Sequence, residues 1–160
     1  MSDRADVLVR QFTAINDETI AAVQGFSAAQ WGAVSAGEGW PVGTTAHHLA
    51  GTHGMVMGLT EGLAQGQPLP PVTWDMIHGG NAQHAQDHAA PDQGETVALL
   101  RRTGEDVAGR IGALSDEQLD RASPWGLAEG ASRSAEQLIT LHIIEHAQGH
   151  LASMRQAAGG

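Results

Sequence analysis

Cysteine is absent from this sequence of 160 residues. Its absence excludes disulfide bonds, thiolate-rich zinc fingers and any mechanism that uses a cysteine nucleophile. If thiol chemistry takes place here, the thiol must therefore be brought by a small molecule. The nine histidines are the main chemical resource that remains, and imidazole is both a general base and a common metal ligand.

Positive charge is also scarce. Eight basic residues, all of them arginine, stand against eighteen acidic ones, and the net charge is -10. Such a chain repels phosphate backbones and anionic membrane surfaces, so we expect no nucleic-acid partner and no membrane partner. No stretch has the apolar length of a membrane span, and the start, MSDRADVLV, lacks the basic-then-apolar layout of a signal peptide. The expected location is therefore the cytoplasm.

Alternating, strand-like patterns are missing too, because the apolar residues recur with helical spacing along nearly the whole chain. We predict helices over residues 3–24, 41–64, 74–89 and 134–157, and a further one that begins after Asp92. Short capped turns are predicted at Ser27 and in LSDEQL, and a loop over residues 123–132. No strand is expected. The prediction is one all-α domain over residues 1–160, a four-helix bundle with an additional short helix.

Three glycines lie within the second predicted helix, at Gly51, Gly54 and Gly58. Glycine lowers helix propensity, so its presence within a helix needs an explanation. We expect these three positions to allow close packing against a neighbouring helix.

The stretch HIIEHAQGHL begins at His142 and places three histidines at four-residue spacing. At 100° per residue, His146 and His150 fall in one narrow stripe with Ile139 and Ile143, and His142 lies at its shoulder. Two histidines four residues apart on a helix can share one ion, as in the helical H-E-x-x-H motif. His146 and His150 are therefore the preferred ligand pair, with His142 as the third candidate on that helix.

The second helix offers His47, His48 and His53, of which the helical wheel places only His48 on the apolar, inward-looking face. If this face lies opposite the last helix, His48 joins His146 and His150 in a three-imidazole site. Such a set leaves an open position on Zn²⁺ or on another divalent ion. The alternative is that the same histidines are ordinary core residues without a metal.

A second pair at four-residue spacing, His84 and His88, shares a helical face with Ile77 and Asn81. The surrounding segment is polar. We therefore expect this pair to lie on a solvated face rather than in a site.

The residues of the second and last helices resemble a known family. The pattern Trp40-x7-His48 in WPVGTTAHHLAG, followed near the end by H-x3-H in EHAQGHLASMR, is similar to the DinB/YfiT-like family, which includes metal-dependent enzymes. The resemblance extends from the first helix through the FSAAQW turn to HLASMR. It implies a four-helix bundle of the DinB/YfiT-like type in which His48, His146 and His150 hold the metal.

The resemblance also implies a homodimer, and Leu141 and Ile144, which lie off the inward stripe of the last helix, are candidate contact residues. Two departures from the family pattern are visible. Ser153 stands where many members have a glutamine, three residues after the final histidine. His142 is an extra histidine that either supports the ligands or competes with them.

Family members of known activity include S-transferases and isomerases that use bacillithiol, mycothiol or related low-molecular-weight thiols. The resemblance thus implies a divalent-metal-binding transferase that activates such a thiol for reaction with a small-molecule substrate. The alternatives are metal-dependent hydrolysis, with His142 as the base, and a non-catalytic module that binds a metal or small ligand. Zn²⁺ and Ni²⁺ are the preferred ions, with Fe and Mn as further candidates. The sequence identifies no convincing inward carboxylate that could act as the base, since Asp75 and Glu61 lie near helix ends or loops.

Overall fold

The computed structural model describes residues 2–159, and these form the predicted helical bundle. The elements in chain order are α1 Asp3–Gly25, α2 Ala28–Trp31, α3 Val42–Ala64, α4 Trp74–Asp87, α5 Gln93–Gly112, α6 Asp116–Asp120, β1 Ala122–Pro124, β2 Ser132–Ser134, α7 Ala135–Ile139 and α8 Glu145–Ala157. A 3₁₀ turn, Gly126–Ala128, lies between the two strands, and a π-helical turn, Thr140–Ile144, joins α7 to α8. The predicted fold class, a four-helix bundle with additional short helices, is confirmed.

Four helical rods enclose the core. Helix α1 packs on α5, α5 on α3, α3 on the rod formed by α7 and α8, and α8 returns to α1. Each rod contributes large apolar side chains that are fully buried, among them Phe12, Leu49, Leu100 and Ile143. Burying one such side chain contributes about 1.5–3 kcal/mol, so the shared core holds the four rods in register and fixes where their inward polar residues meet.

The helix starts are set by side-chain caps. Asp92 accepts a hydrogen bond from the backbone N–H of Glu95 and begins α5, as predicted. Ser27 forms the predicted capping box with Gln30 at α2. Ser115 caps α6 in the same way, which confirms the capped turn in LSDEQL. These local bonds satisfy amide donors that a helix otherwise leaves unpaired.

The prediction that the chain has no strand is wrong. Strands β1 and β2 pair antiparallel, with Ala122 opposite Ser134 and Pro124 opposite Ser132. Each strand has three residues, too few to produce an alternating pattern in the sequence. The hairpin replaces part of the loop that was expected over residues 123–132.

The last helix was predicted to be uninterrupted, and the π turn Thr140–Ile144 corrects that prediction. Here the N–H of Glu145 donates to the carbonyl of Thr140, five residues earlier. The wider turn changes the angular offset between the residues before it and those after it. A wheel drawn at a constant 100° therefore misplaces His142 relative to His146.

The glycines of α3 do not have the packing role that we expected. A Cβ added at Gly51 or Gly54 would meet no atom within 4 Å, and at Gly58 it would just reach one arginine nitrogen at 4.0 Å. Close packing instead occurs at Gly43, where a Cβ would lie 2.5 Å from the ring of Trp31.

Helix α4 lies at the edge of the bundle and has no buried residue. Its weak amphipathic character matches the polar sequence from which it was predicted. On the last rod, Leu141 is 36% exposed but Ile144 is only 5% exposed. Ile144 is therefore a core residue and no longer supports the predicted homodimer, which stays a prediction. None of the helices within residues 2–159 has the length and apolar character needed to cross a membrane.

Candidate metal centre

Three histidines converge where α3 faces α8. His48 lies on α3, and His146 and His150 lie one turn apart on α8. One ring nitrogen of each lies within 4.8 Å of the others. The Nε2 atoms of His146 and His150 are 3.0 Å apart, close to the spacing of about 3.3 Å that two nitrogens have when each lies about 2.0–2.1 Å from a tetrahedral Zn²⁺. The structure thus brings together the three residues that the helical wheel selected.

Glu38 holds one of these rings in place, and the sequence prediction missed it. Its Oε1 atom lies 2.8 Å from Nδ1 of His150. A carboxylate can only accept, so the proton belongs on Nδ1 and the Nε2 atom of His150 keeps a free lone pair. Ser153 donates to the other carboxylate oxygen at 2.5 Å, and Ser35 donates to the same oxygen. Glu38 is thus an inward carboxylate that the sequence did not identify.

The loop that carries Glu38 is shaped by local sequence. The N–H of Ser35 donates to the carbonyl of Trp40 at 2.9 Å, and Gly39 has φ = 71°, a left-handed conformation that favours glycine. Pro41 then leads into α3. This tight turn directs Glu38 toward α8. The turn has no helical periodicity, so the sequence pattern does not predict where Glu38 points.

Burial and neighbouring charges determine the protonation of His48 and His146. Burial, reinforced by the neighbouring histidines, lowers the pKa of His48 to about 3, and the same causes lower the pKa of His146 to about 3. Both rings are thus neutral at neutral pH, as metal ligation requires. For Glu38, burial would raise the pKa, but the hydrogen bonds from Ser153, Ser35 and His150 outweigh it and lower the pKa to about 2.

His48 is also positioned by its own helix and by the preceding turn. The edge of Trp40 meets its ring with the centroids 5.4 Å apart, which gives the Trp40-x7-His48 spacing a physical reason. The hydroxyl of Thr52, one turn later, lies 3.2 Å from Nε2 of His48. His48 is 8% exposed, and this small exposed fraction faces a pocket.

The pocket has a volume of about 320 Å³ and is lined mostly by apolar side chains. His48 and His146 form one side, while Trp74, Trp125 and Ile77 contribute much of the rest. Among residues 2–159, those that line the pocket include no aspartate, glutamate or arginine. A neutral, mainly apolar ligand suits such a lining.

His142 lines the same pocket. The rings of His142 and Trp125 are nearly perpendicular, with their centroids 4.7 Å apart. Burial, together with the nearby Arg133, lowers the pKa of His142. The structure does not bring His142 into the three-histidine set, but it places a neutral imidazole on the open side of that set. Glu145, by contrast, is exposed.

Comparison with known proteins gives two findings. The family model of the DinB superfamily matches residues 11–154. The chain belongs to the DinB superfamily. No curated protein sequence matches it significantly. Among solved structures, YfiT from Bacillus subtilis, described as a probable metal-dependent hydrolase with an unusual four-helix bundle topology, is similar, with a TM-score of 0.79 and 17% identity over 99% of this chain and 88% of that one. At that identity, the likeness concerns the fold.

The DinB-superfamily match includes Glu38 and all three converging histidines within its bounds. Their donor set, three imidazoles with one ring oriented by a carboxylate, fits a divalent transition-metal ion. The Nδ1 atom of His146 is buried and has no hydrogen-bond partner among the described residues. Hydrogen bonds within the described residues therefore do not explain why this nitrogen of His146 is buried.

His53 was predicted to lie away from the interior, and this prediction is wrong. It is 1% exposed, and its ring meets Phe12 edge-on with the centroids 5.2 Å apart. Neither ring nitrogen has a hydrogen-bond partner within residues 2–159, and burial lowers the pKa of His53 to about 4. His53 is a neutral core residue outside the set formed by His48, His146 and His150.

His84 and His88 were expected on a solvated face, and this expectation is also wrong. Both are half-buried, and each contacts His47 on α3. The ring of His84 also approaches His48, with the centroids 5.4 Å apart. A second histidine cluster therefore lies beside the first in this DinB-superfamily chain.

Proposed function

We propose that this protein is a metal-dependent enzyme in which His48, His146 and His150 hold a divalent ion that activates a low-molecular-weight thiol. The observation that carries the proposal is the convergence of three imidazoles, two of which, His48 and His146, also line an apolar pocket. Such an ion lowers the pKa of a bound thiol or water and so supplies a nucleophile at neutral pH. The chain itself has no cysteine, so the thiol would be a cosubstrate.

The lining of the pocket favours a thiol over water. Hydrolysis needs a base to take a proton from the attacking water. The carboxylate nearest the ligands, that of Glu38, is already engaged by His150 and two serine hydroxyls and does not line the pocket. A thiol has a lower pKa than water, so it needs less help from a base.

The remaining residues of the pocket would bind the electrophile. Trp74, Trp125 and Ile77 offer apolar contact and exclude water from the reacting atoms, while Thr52 and Asn81 offer the hydrogen bonds that orient a small substrate. Glu38 would hold His150 in the tautomer whose Nε2 atom faces the ion. The substrate class is therefore a small, uncharged and largely apolar electrophile.

The second candidate is metal-dependent hydrolysis, and His142 is the observation that favours it. Its neutral imidazole lies in the pocket with His48 and His146, where it could accept a proton from water. YfiT, which has a similar fold, is described as a probable metal-dependent hydrolase, which is the same type of reaction. The substrate would then be a small ester or amide that fits the same apolar walls.

The test begins with the metal and continues with the nucleophile. We expect elemental analysis to find that His48→Ala and His146→Ala/His150→Ala lose an ion that the matched control His78→Ala retains, because His78 is exposed and outside the set. Metal retained by both variants would refute the proposed ligands.

The metal-loaded protein is then offered 1-chloro-2,4-dinitrobenzene with several thiols, and 4-nitrophenyl esters without thiol. Thiol-dependent consumption of the first supports transfer, and turnover of the second that is lost in His142→Asn supports hydrolysis. Stoichiometric metal with neither activity would contradict both.

A further inference from the structure

A second group of three histidines lies next to the first. His47 comes from α3, His84 from the last turn of α4, and His88 caps the end of α4. One ring nitrogen of each lies within 4.8 Å of the others. Nδ1 of His47 is 3.4 Å from Nε2 of His84, and the rings of His47 and His88 stack with their centroids 3.9 Å apart.

The chemistry of this group suits a divalent ion. The nitrogen separation of 3.4 Å is close to the value of about 3.3 Å for two ligands of a tetrahedral Zn²⁺. All three rings are half-buried. A neutral imidazole has one ring nitrogen with a free lone pair that can bind an ion, and here three rings each bring one nitrogen close to the other two.

The position of the group matters because α4 is weakly held. No residue of α4 is buried. In addition to the histidine contacts, one hydrogen bond joins the end of α4 to α3: the hydroxyl of Thr44 donates to the carbonyl of His88 at 2.8 Å. Yet α4 supplies Trp74, Ile77 and Asn81 to the pocket beside the first histidine set. Whatever fastens the end of α4 therefore shapes that pocket.

An access route for an ion is present. A cavity of about 510 Å³, open to solvent, is lined by His47 and His88 together with Asp92 and Glu95. Arg102 is the positive residue of this lining. Carboxylates beside the entrance attract cations, and a metal site needs such an entry path.

We propose that His47, His84 and His88 form a second divalent-metal site, structural in role, which fastens the C-terminal end of α4 to α3 and so sets the shape of the pocket. The site has ligands from two elements, and water completes the coordination. It is separate from the His48, His146 and His150 set in its ligands, although His84 lies against His48. The proposal stands whether or not the first site is catalytic.

The first test counts ions. Full-length protein is stripped with a chelator and dialysed against a fixed free concentration of Zn²⁺, and bound zinc is measured per chain. We expect two ions in the wild type and in the control His78→Ala, a histidine of the same helix outside both sets. We expect one ion in His84→Ala/His88→Ala and one in His48→Ala/His146→Ala. Circular dichroism verifies that each variant is folded.

The outcomes separate the two sites. A single ion that is lost only in His84→Ala/His88→Ala supports this site and contradicts the proposed function. A single ion that is lost only in His48→Ala/His146→Ala, or two ions that survive in His84→Ala/His88→Ala, would overturn the second site and leave the first intact.

The second test concerns the role of the ion in holding α4. Hydrogen exchange of the α4 amides is compared with and without Zn²⁺. We expect zinc to slow exchange in the wild type and in His48→Ala/His146→Ala, and to have no effect in His84→Ala/His88→Ala. Equal exchange with and without zinc in a wild type that binds two ions would refute the fastening role.

Discussion

Replacing Glu38 by glutamine tests whether this carboxylate is part of the metal centre. The side chains of Glu38 and His150 are only 14% and 15% exposed, so their 2.8 Å contact is not a solvated surface pair worth about 0–1 kcal/mol. A shielded hydrogen bond to a charged group contributes about 1.5–3 kcal/mol. If His150 binds the ion as proposed, part of that free energy would orient its ring and make its Nε2 atom a better ligand.

The expected loss follows from these numbers. Removing a group that orients a metal ligand typically weakens metal affinity by about 10–100-fold, which corresponds to about 1.4–2.7 kcal/mol. Glutamine keeps an acceptor for Nδ1 of His150 but removes the charge and one acceptor for the serine hydroxyls. We therefore expect Glu38→Gln to raise the zinc Kd by about 10-fold, and Glu38→Ala, which removes both oxygens, by about 100-fold.

The assay is a zinc titration in competition with a chromophoric chelator. The variants are made in a chain that also carries His84→Ala, so that the first histidine set is measured alone. Glu145→Gln is the matched control, because it removes the same charge next to His146 from an exposed side chain. We expect this control to bind zinc within about twofold of its parent. If Glu38→Gln binds zinc as tightly as Glu145→Gln does, the role assigned to Glu38 is refuted.

Three further predictions concern stability. Because the pKa values of His48 and His146 are lowered to about 3, the unfolded chain binds more protons below about pH 6.5. Chemical denaturation of metal-free protein should thus show a loss of about 2 kcal/mol for each of them from pH 7 to pH 5; equal stability at both pH values would contradict it. His53→Leu should raise the unfolding free energy by about 1–3 kcal/mol, because both ring nitrogens are buried without a hydrogen-bond partner in the described part of the chain. A lower value would show that the ring has an unrecognised role. Gly51→Ala should stabilise α3 by about 0.5–1 kcal/mol, whereas Gly43→Ala should destabilise it by about 1–3 kcal/mol, because its Cβ would overlap Trp31; thermal melts with the same sign for both would refute this.

The parts of the fold that were predictable are those that depend on local rules. Ser27 and Asp92 mark helix starts because their side chains pair with the next amides along the chain. His146 and His150 face the same way because they are one turn apart within α8. His48 joins them because one face of α3 looks toward that helix, so regular helical geometry was enough to predict the three converging histidines.

The parts that were missed depend on tertiary contacts. Glu38 lies in a turn without periodicity, and only the fold brings it to α8. His53 was placed outside because the wheel assumed one inward direction, whereas α3 also meets Phe12 of α1 on another side. His84 and His88 lie on a helix with no buried residue, so nothing in its pattern indicates that its end contacts α3.

Departures from regular geometry collect around the three converging histidines. The π turn ends at Ile144, two residues before His146. Nδ1 of His146 is buried without a hydrogen-bond partner among residues 2–159. A four-helix bundle needs neither of these features for its core, and each is unfavourable or rare in itself. Sequences usually break local rules at functional sites and compensate elsewhere. The occurrence of both departures at one histidine set therefore argues that this corner of the bundle is built to bind something, whereas His53, buried in regular helix without a partner among the described residues, has only the core around it.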